Sequence, residues 1–303
     1  MYFCGWDGGG SKTAVCLIDT DGAPLANASF GPLNANGASP ERVRGTVGDA
    51  LAFMKSQPGG LDACGGLVIG MAGISNKALS EQMYTYLSEG GYTGPLSLLG
   101  DQEIALAGAI DGPGAILIAG TGSICYGKDS DGHPFRVGGY GYLIDDLGSG
   151  YAIGLSILTA VIRALDGRNP PTRLTSLVYN ALSISDIPAL ITWVYARTTG
   201  KKEIAALSRL LLPALEEQDS AAQSIASKAA RDLADLAITG LSQHHLIRAE
   251  LALTGSIFEH YPLIRSTLES QVYAALPFIR ICTPKRTPAE GAARLARNQA
   301  SHP

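Results

Sequence analysis

Long apolar runs, an excess of basic charge and paired cysteines are all missing from this 303-residue chain. No apolar run approaches the roughly 18 residues that a membrane helix needs, so a membrane-spanning protein is not expected. Lys and Arg number 23 against 27 Asp and Glu, a balance that argues against a nucleic-acid-binding surface. The first twelve residues lack the basic start and apolar stretch of a signal peptide, which predicts a cytoplasmic protein.

The five cysteines are scattered, and none lies in a Cys-x-x-Cys pair or beside a histidine cluster. Isolated thiols in strand-like apolar sequence predict reduced, buried side chains rather than disulfides or a metal site. Glycine, by contrast, is abundant: its 37 residues make up about 12% of the chain, against roughly 7% in an average protein. We therefore expect glycine-built turns at a functional site.

Three apolar runs near the start, Tyr2–Trp6, Ala14–Ile18 and Pro24–Phe30, are separated by glycine and aspartate turns. This pattern predicts three antiparallel strands. Helix and strand patterns then alternate to give the order βββαβαβα, which is typical of an α/β domain that ends near residue 112. The later predicted elements are a helix from Pro40 to about Gln57, a strand at Leu67–Ile69, a helix at Asn76–Glu89, a strand at Leu96–Leu99 and a helix at Gln102–Ala109.

The same order of patterns restarts with a predicted strand at Ala115–Ala119. Asp19 and Asp129 begin two Asp-x-Asp-Gly turns that are 110 residues apart, and the same offset relates Gly10 to Gly120. One offset shared by several features predicts a duplicated unit, the alternative being a chance match of common turn motifs. Residues 148–246 have mostly helical spacing and are interpreted as scaffold.

The first candidate ligand-binding loop follows Asp7, at the end of the first predicted strand. Successive glycines let backbone N–H groups approach an anion, hydroxyls add donors, and a carboxylate at the strand end suits Mg²⁺. The segment is neither a P-loop nor a dinucleotide-binding glycine motif, and a plain hairpin turn is the alternative. The loop consists of Gly8, Gly9, Gly10, Ser11, Lys12 and Thr13.

A second loop of the same type occupies the corresponding place in the second copy. Two such loops, one from each half, are expected to bind a polyphosphate together. Its residues are Gly120, Thr121, Gly122 and Ser123. A third glycine-rich segment, residues 138–150, runs from a strand into a helix and suits ligand hydroxyls and phosphates, with an interdomain turn as the alternative.

Asp101 follows the predicted strand Leu96–Leu99. A carboxylate at the carboxyl end of such a strand is placed to accept a proton from a substrate hydroxyl, and the alternative is a helix cap. Asn34, in a glycine-flanked loop, is either a sugar-binding amide or a turn former. The segment from Thr199 to Glu203 is interpreted as a helix start.

These segments together resemble the BadF/BadG/BcrA/BcrD family of the actin-like ATPase superfamily, in particular its N-acetylglucosamine and glucosamine kinase branch. The resemblance spans almost the whole chain. Asp7–Thr13 is similar to the first phosphate motif of the family, 119–123 to the second, 253–256 with Gly255 and Ser256 to the adenosine motif, and 291–293 to the closing helix.

The resemblance implies an α/β fold of two ribonuclease-H-like, actin-like ATPase domains with a hinged nucleotide cleft. On this basis residues 1–112 form the first domain and 113–286 the second, which carries a helical insertion. The closing helix at about 287–300 is expected to pack back on the first domain. The resemblance also implies ATP and Mg²⁺ as cofactors, with Asp7 as the metal ligand, and a homodimer as the assembly.

The activity implied by the resemblance is ATP-dependent phosphorylation of N-acetylglucosamine or glucosamine at the 6-hydroxyl, with Asp101 as the catalytic base. Asp145 stands where the signature loop of the family usually has glycine, and Leu147 where it usually has glutamate, which leaves the sugar undetermined. The sugar contacts carried over from the family are Asn34, Asp101, Thr121, Gly139, Tyr140, Gly141 and Asp146.

Two other functions remain open at this stage. The same branch contains ATPases that activate 2-hydroxyacyl-CoA dehydratases, and these need thiolates at a dimer surface for an iron–sulfur cluster. No cysteine lies between Cys125 and Cys282, and both of these occur in apolar sequence, which disfavours that function. A non-catalytic nucleotide or sugar sensor is the third possibility.

Overall fold

The computed structural model describes residues 1–33, 38–74 and 76–301. They divide into two compact units. Unit 1 contains residues 1–111 and the segment that begins at Pro284, and unit 2 contains residues 112–283. Asn34, one of the predicted sugar contacts, lies outside the described residues.

Unit 1 is built on a five-stranded sheet in the order β3-β2-β1-β4-β5. β2 pairs antiparallel with both β1 and β3, whereas β4 and β5 run parallel to β1. The elements are β1 (Tyr2–Gly8), β2 (Thr13–Ile18), β3 (Pro24–Phe30), α1 (Pro40–Lys55), β4 (Cys64–Met71), α2 (Lys77–Glu89), β5 (Leu96–Leu99) and α3 (Asp101–Ala109). The predicted order βββαβαβα is confirmed.

Unit 2 contains a second five-stranded sheet and most of the helices. Its elements are β6 (Gly114–Ala119), β7 (Ser123–Lys128), β8 (Pro134–Gly138), α4 (Gly150–Leu165), α5 (Arg173–Leu182), α6 (Ile187–Val194), α7 (Lys201–Ala206), α8 (Leu211–Glu216), α9 (Ser220–Gln243), β9 (Glu250–Thr254), α10 (Ser256–His260), α11 (Pro262–Ala275) and β10 (Arg280–Cys282). The chain then returns to unit 1 with α12 (Pro288–Ser301).

The two sheets have the same topology, since the order β8-β7-β6-β9-β10 of unit 2 repeats the order of unit 1 strand for strand. The hairpin turns agree in detail as well. Asp19 Oδ1 accepts hydrogen bonds from the N–H groups two and four residues later, at 2.9 and 2.8 Å, and Asp129 Oδ1 does the same at the same distances. This agreement confirms the repeat predicted from the 110-residue offset.

Alternation along β1 places apolar side chains on both faces of the sheet of unit 1. Cys4 and Trp6 belong to a core shared with α1 and α2, whereas Phe3 belongs to a core shared with α3 and α12. Gly5 faces α12 so closely that a Cβ atom would lie 2.1 Å from the Ala289 carbonyl oxygen. The strand that carries Asp7 is therefore fixed from both sides.

Local signals set the helix boundaries. Helix α1 begins with Pro40 behind the cap Ser39, and α4 begins behind Ser149, whose Oγ accepts a hydrogen bond from the N–H of Ala152 at 3.3 Å. Within the described ranges, no single helix has the length and apolar character needed to cross a bilayer; one bent pair, α5 with α6, passes that test only when the two helices are taken together.

Candidate functional site

Carboxylates meet at the carboxyl edge of the sheet of unit 1. The parallel ladders place Asp7 of β1 beside Gly70 of β4, and Gly70 beside Leu99 of β5. Asp101 follows two residues after Leu99, as the first residue of α3. The fold thus brings together two acidic residues that are 94 positions apart in the sequence, at the edge where open α/β sheets bind ligands.

The electrostatics of Asp7 reflect this arrangement. Burial raises the pKa of the Asp7 carboxyl, the negative charge of Asp101 raises it further, and the positive charge of Lys12 partly opposes both effects. Asp7 is half-buried, whereas Asp101 and Lys12 are exposed. The site therefore combines a partly desolvated carboxylate with an accessible one.

Asp101 does not cap its helix, so the alternative considered for it is wrong. Gly100 is the N-cap of α3, and its N–H donates to Glu103 Oε1 at 2.9 Å. Within the described residues, the Asp101 carboxylate accepts a hydrogen bond from the N–H of its neighbour Gln102, at 3.1 Å. The carboxylate therefore faces solvent at the helix start, where a substrate hydroxyl can reach it.

The glycine loop of unit 1 is a tight hairpin closed by the N–H of Gly9, which donates to the Lys12 carbonyl at 3.0 Å. A Cβ atom on Gly10 would meet nothing within 4 Å, so the tip of the loop is open. Thr13 is fully buried, and its hydroxyl donates to the Gly31 carbonyl at 2.8 Å. The Thr13 hydroxyl therefore holds the loop in place, whereas the sequence predicted that it would donate a hydrogen bond to a ligand.

The corresponding loop of unit 2 is anchored on α4. The N–H of Gly120 donates to the Gly122 carbonyl at 2.9 Å, and the Gly120 carbonyl accepts from the N–H of Gly150 at 2.7 Å. Ser123 is buried and donates its hydroxyl to the Leu147 carbonyl at 2.7 Å, so it also holds the loop instead of facing a ligand as predicted. Thr121, at the tip, is exposed.

A cavity of about 180 Å³ opens beside this loop in unit 2. Hydroxyl groups and positive charges line it, and Tyr261 is held at its wall by a 2.8 Å hydrogen bond to the Ser208 carbonyl. Such a lining suits a polar ligand that carries hydroxyls and negative charge. The hydroxyl-bearing and cationic residues of the lining include Thr121, Lys202, Ser208, Arg209, Ser256 and Tyr261.

Gly255 joins β9 to α10 and directly precedes Ser256, which lines the cavity. Its φ is +106°, and a Cβ atom would lie 2.3 Å from the Ala119 carbonyl oxygen on the neighbouring strand β6. Only glycine combines this backbone conformation with so close an approach. The predicted adenosine motif thus ends β9 in a turn that brings Ser256 next to the glycine loop.

The third glycine-rich segment folds back on the second loop. Gly139 and Gly141 have φ values of +74° and +103°, and the N–H of Tyr140 donates to Asp145 Oδ2 at 3.1 Å. Asp145, one of the two departures from the family signature, therefore closes this loop. The Tyr140 side chain is exposed and stacks against Arg136, whose guanidinium lies 4.4 Å from the ring centroid.

Asp146 occupies an unexpected environment for a predicted sugar contact. The residue is buried, with 4% of its surface exposed, and its Oδ2 lies 2.9 Å from Lys201 Nζ. Leu147, the second departure from the signature, is half-exposed and contributes its backbone carbonyl to Ser123. The signature segment is therefore tied to the second loop by a hydrogen bond and to α7 by an ion pair.

Several residues of this region went unrecognised in the sequence. The sequence pattern places Lys201 and Lys202 only in a helix start, and Gly200 and Glu203 do close the start of α7. Arg209 and Tyr261 carry no local motif. The two adjacent lysines were the only available signal, but nothing in the sequence shows that they face this loop and this cavity.

The donor set fits the groups implied by the resemblance. Two neighbouring carboxylates, one of which has its pKa raised by burial and by the other's charge, are suited to a divalent cation with oxygen ligands such as Mg²⁺. The hydroxyl- and cation-lined cavity of unit 2 suits a nucleotide. Cys125 is fully buried, and burial raises its pKa to about 12, which does not fit a cluster-bridging thiolate.

Comparison with known proteins agrees with these features. A model of the BadF/BadG/BcrA/BcrD ATPase family matches residues 4–296. The chain is 32% identical to an N-acetylmuramic acid/N-acetylglucosamine kinase of Clostridium acetobutylicum over 98% of this chain and 99% of that protein. It is also 29% identical to an N-acetyl-D-glucosamine kinase of Dictyostelium discoideum, over 98% of each protein.

A solved structure shares the fold. It is that of a proposed N-acetylglucosamine kinase from Chromobacterium violaceum, with a TM-score of 0.72 and 27% sequence identity. The match covers 97% of this chain and 98% of the other. The predicted α/β class of the actin-like ATPase and sugar kinase structures is thereby confirmed.

Proposed function

The chain belongs to the BadF/BadG/BcrA/BcrD ATPase family, and from this premise we propose that it transfers the γ-phosphate of ATP to the 6-hydroxyl of an amino sugar. N-acetylglucosamine is the first candidate, since both the Clostridium and the Dictyostelium relatives are named for it. The single observation that carries the proposal is the pair Asp7 and Asp101 at the sheet edge, beside an open glycine loop.

Asp101 is proposed as the general base. Its exposed carboxylate at the start of α3 accepts the proton of the sugar hydroxyl as that oxygen attacks the γ-phosphate. Asp7 is proposed to hold Mg²⁺, which when bound would neutralise negative charge on the transferring phosphate. The glycine loop of unit 1 offers backbone N–H groups to phosphate oxygens.

The nucleotide is proposed to place its adenosine part in the 180 Å³ cavity of unit 2. Ser256 and Thr121 offer hydroxyls to a ribose or phosphate oxygen, and Lys202 and Arg209 offer positive charge at the rim. A homodimer in the cytoplasm is part of the same proposal.

The proposal is tested by measuring ADP release from Mg²⁺·ATP with N-acetylglucosamine, glucosamine, N-acetylmuramic acid, glucose, N-acetylmannosamine or no sugar. Sugar-dependent release with one clear preference is expected. Release that is independent of sugar would instead support the dehydratase-activating ATPases, and no release would support a sensor.

Asp101→Asn tests the role of the base, with Asp49→Asn as the control because Asp49 is an exposed carboxylate on α1. A general base contributes roughly 10²–10⁴-fold, so Asp101→Asn is expected to lower kcat by at least about a hundredfold. Binding of an ATP analogue should stay unchanged in both variants. A kcat close to that of the wild type for Asp101→Asn would remove Asp101 from this role.

A further inference from the structure

The backbone of Asp146 is held in a conformation that few side chains adopt. Its φ is +57°, in the left-handed region, while its carboxylate is buried. Such a conformation persists only where surrounding contacts fix it. Within the described residues, the cation paired with this carboxylate is Lys201, at 2.9 Å.

Lys201 makes a second contact with the same segment. Its Nζ lies 5.4 Å from the ring centroid of Tyr142, within the range of a cation–π interaction. The Tyr142 ring in turn packs edge-on against Tyr151 of α4, with 4.8 Å between centroids. One ammonium group therefore connects two residues of the segment that leads into α4.

The ion pair also lies directly against the second glycine loop. A Cβ atom on Gly122 would lie 2.7 Å from Asp146 Oδ2 and 3.1 Å from Lys201 Nζ. The absence of a side chain at Gly122 is what lets the pair reach the loop. The arrangement of that loop thus depends on where the two charged groups are held.

Helix α7, which carries Lys201, cannot shift freely. A Cβ atom on Gly154 of α4 would lie 2.0 Å from the Ile204 carbonyl oxygen, so the backbones of α4 and α7 touch. Lys202 and Ala205, on the same helix, line the cavity assigned to the nucleotide. Lys201 is therefore anchored on a fixed element at the cavity wall.

We propose that Lys201 is a positioning residue for the sugar-binding loop: it holds Asp146 and the segment 139–147 in the arrangement that binds the sugar. This inference rests on the proposed sugar kinase function. Without the ammonium group, the Asp146 carboxylate would be left buried and unpaired, and the segment would rearrange to return it to water. Sugar affinity would then fall, although Lys201 itself does not enter the transfer step.

The test compares Lys201→Met, which keeps most of the side-chain length but removes the charge, with Lys201→Arg, which keeps the charge. Loss of a hydrogen bond to a charged group lowers affinity by roughly tenfold to a hundredfold. We therefore expect Lys201→Met to raise the KM for sugar by this factor. The KM for ATP should change by less than about threefold, and Lys201→Arg should restore most of the sugar affinity.

Lys228→Met is the matched control. Lys228 pairs with Asp232 on the exposed face of α9, with Nζ and Oδ2 2.6 Å apart. An exposed ion pair of this kind contributes little to stability, so the Lys228→Met enzyme should have the kinetics of the wild type. An equal rise in the sugar KM of Lys201→Met and Lys228→Met would show that removing either lysine charge has this effect, and would overturn the inference.

A double variant keeps the inference testable if Lys201→Met folds poorly. Lys201→Met combined with Asp146→Asn removes both charges, and we expect it to be no worse than Asp146→Asn alone, because the two residues act as a unit. Additive losses, or a Lys201→Met enzyme with the sugar KM of the wild type, would overturn the inference. A wild-type protein without sugar-dependent ADP release would overturn the proposed function itself. Failure of the proposed function is thus seen in the wild type, whereas failure of the inference about Lys201 is seen only in the variants.

Discussion

Replacing Gly291 by alanine tests how closely α12 is packed within unit 1. A Cβ atom there would lie 2.3 Å from the Ile104 carbonyl oxygen and 2.4 Å from the Gly108 nitrogen. Both are backbone atoms of α3, so no side-chain rotation can relieve the overlap. The two helices must separate, and this disturbs the packing behind β1, the strand that carries Asp7.

The size of the effect follows from two opposing contributions. Alanine in a helix is more stable than glycine by about 0.5–1 kcal/mol, because glycine loses more backbone entropy on folding. Overpacking costs about 1–3 kcal/mol, and overlap with backbone belongs at the upper end of that range. We expect Gly291→Ala to lower the free energy of unfolding by about 2 kcal/mol.

Gly45→Ala is the matched control. Gly45 lies on the exposed side of α1, and a Cβ atom there meets nothing within 4 Å. The same substitution should therefore raise the free energy of unfolding by about 0.5–1 kcal/mol. The same Gly→Ala substitution is thus expected to change the free energy of unfolding in opposite directions at the two helical positions, with a difference of about 3 kcal/mol.

The assay is guanidinium unfolding followed by tryptophan fluorescence. The chain has two tryptophans, and Trp6 is fully buried in unit 1 whereas Trp193 belongs to unit 2. In a Trp193→Phe background the fluorescence of Trp6 reports on unit 1 alone. A Gly291→Ala variant that is as stable as Gly45→Ala would refute the close-packing argument.

Two further predictions concern the sites themselves. Burial and the charge of Asp101 raise the pKa of Asp7, so the ionised carboxylate lowers stability at neutral pH. Without Mg²⁺, Asp7→Asn should resist denaturant better than the wild type at pH 7. This gain in stability should vanish below about pH 3.9, the pKa of Asp in the unfolded chain, because the Asp7 carboxyl is then protonated in both states. A gain in stability that persists at pH 3 would contradict this explanation. Gly255→Ala, with φ +106° and a Cβ atom 2.3 Å from the Ala119 oxygen, should weaken binding of an ATP analogue by calorimetry at least about tenfold. Gly132→Ala, with φ +84° and open space around its Cβ, should bind the analogue as the wild type does, and equal affinities of the two variants would count against the role of Gly255.

The sequence determined the elements and their order because their signals are local. Alternating apolar residues and turn residues predicted β3 and β5 at their observed bounds, Pro24–Phe30 and Leu96–Leu99. Proline at the first helical position predicted the start of α1. The repeat was also visible, because duplicated Asp-x-Asp-Gly turns keep both their composition and their spacing.

The family, too, could be recognised from the sequence, because its glycine and hydroxyl motifs are short and contiguous. The family model confirms this resemblance. The roles of individual hydroxyls could not be predicted, since Thr13 and Ser123 read as exposed loop donors and are instead buried against distant carbonyls. Burial depends on the elements that pack over a loop, and these come from elsewhere in the chain.

Contacts between distant residues were decided by the tertiary structure alone. Lys201 and Asp146 are 55 positions apart, and no periodicity or motif links them. Their pairing depends on the approach of α7 to α4, which in turn depends on Gly154. Asp7 and Asp101 meet because parallel strands align their carboxyl ends at one edge. Local patterns specify elements, but the position of a charge relative to another charge is fixed only when those elements pack.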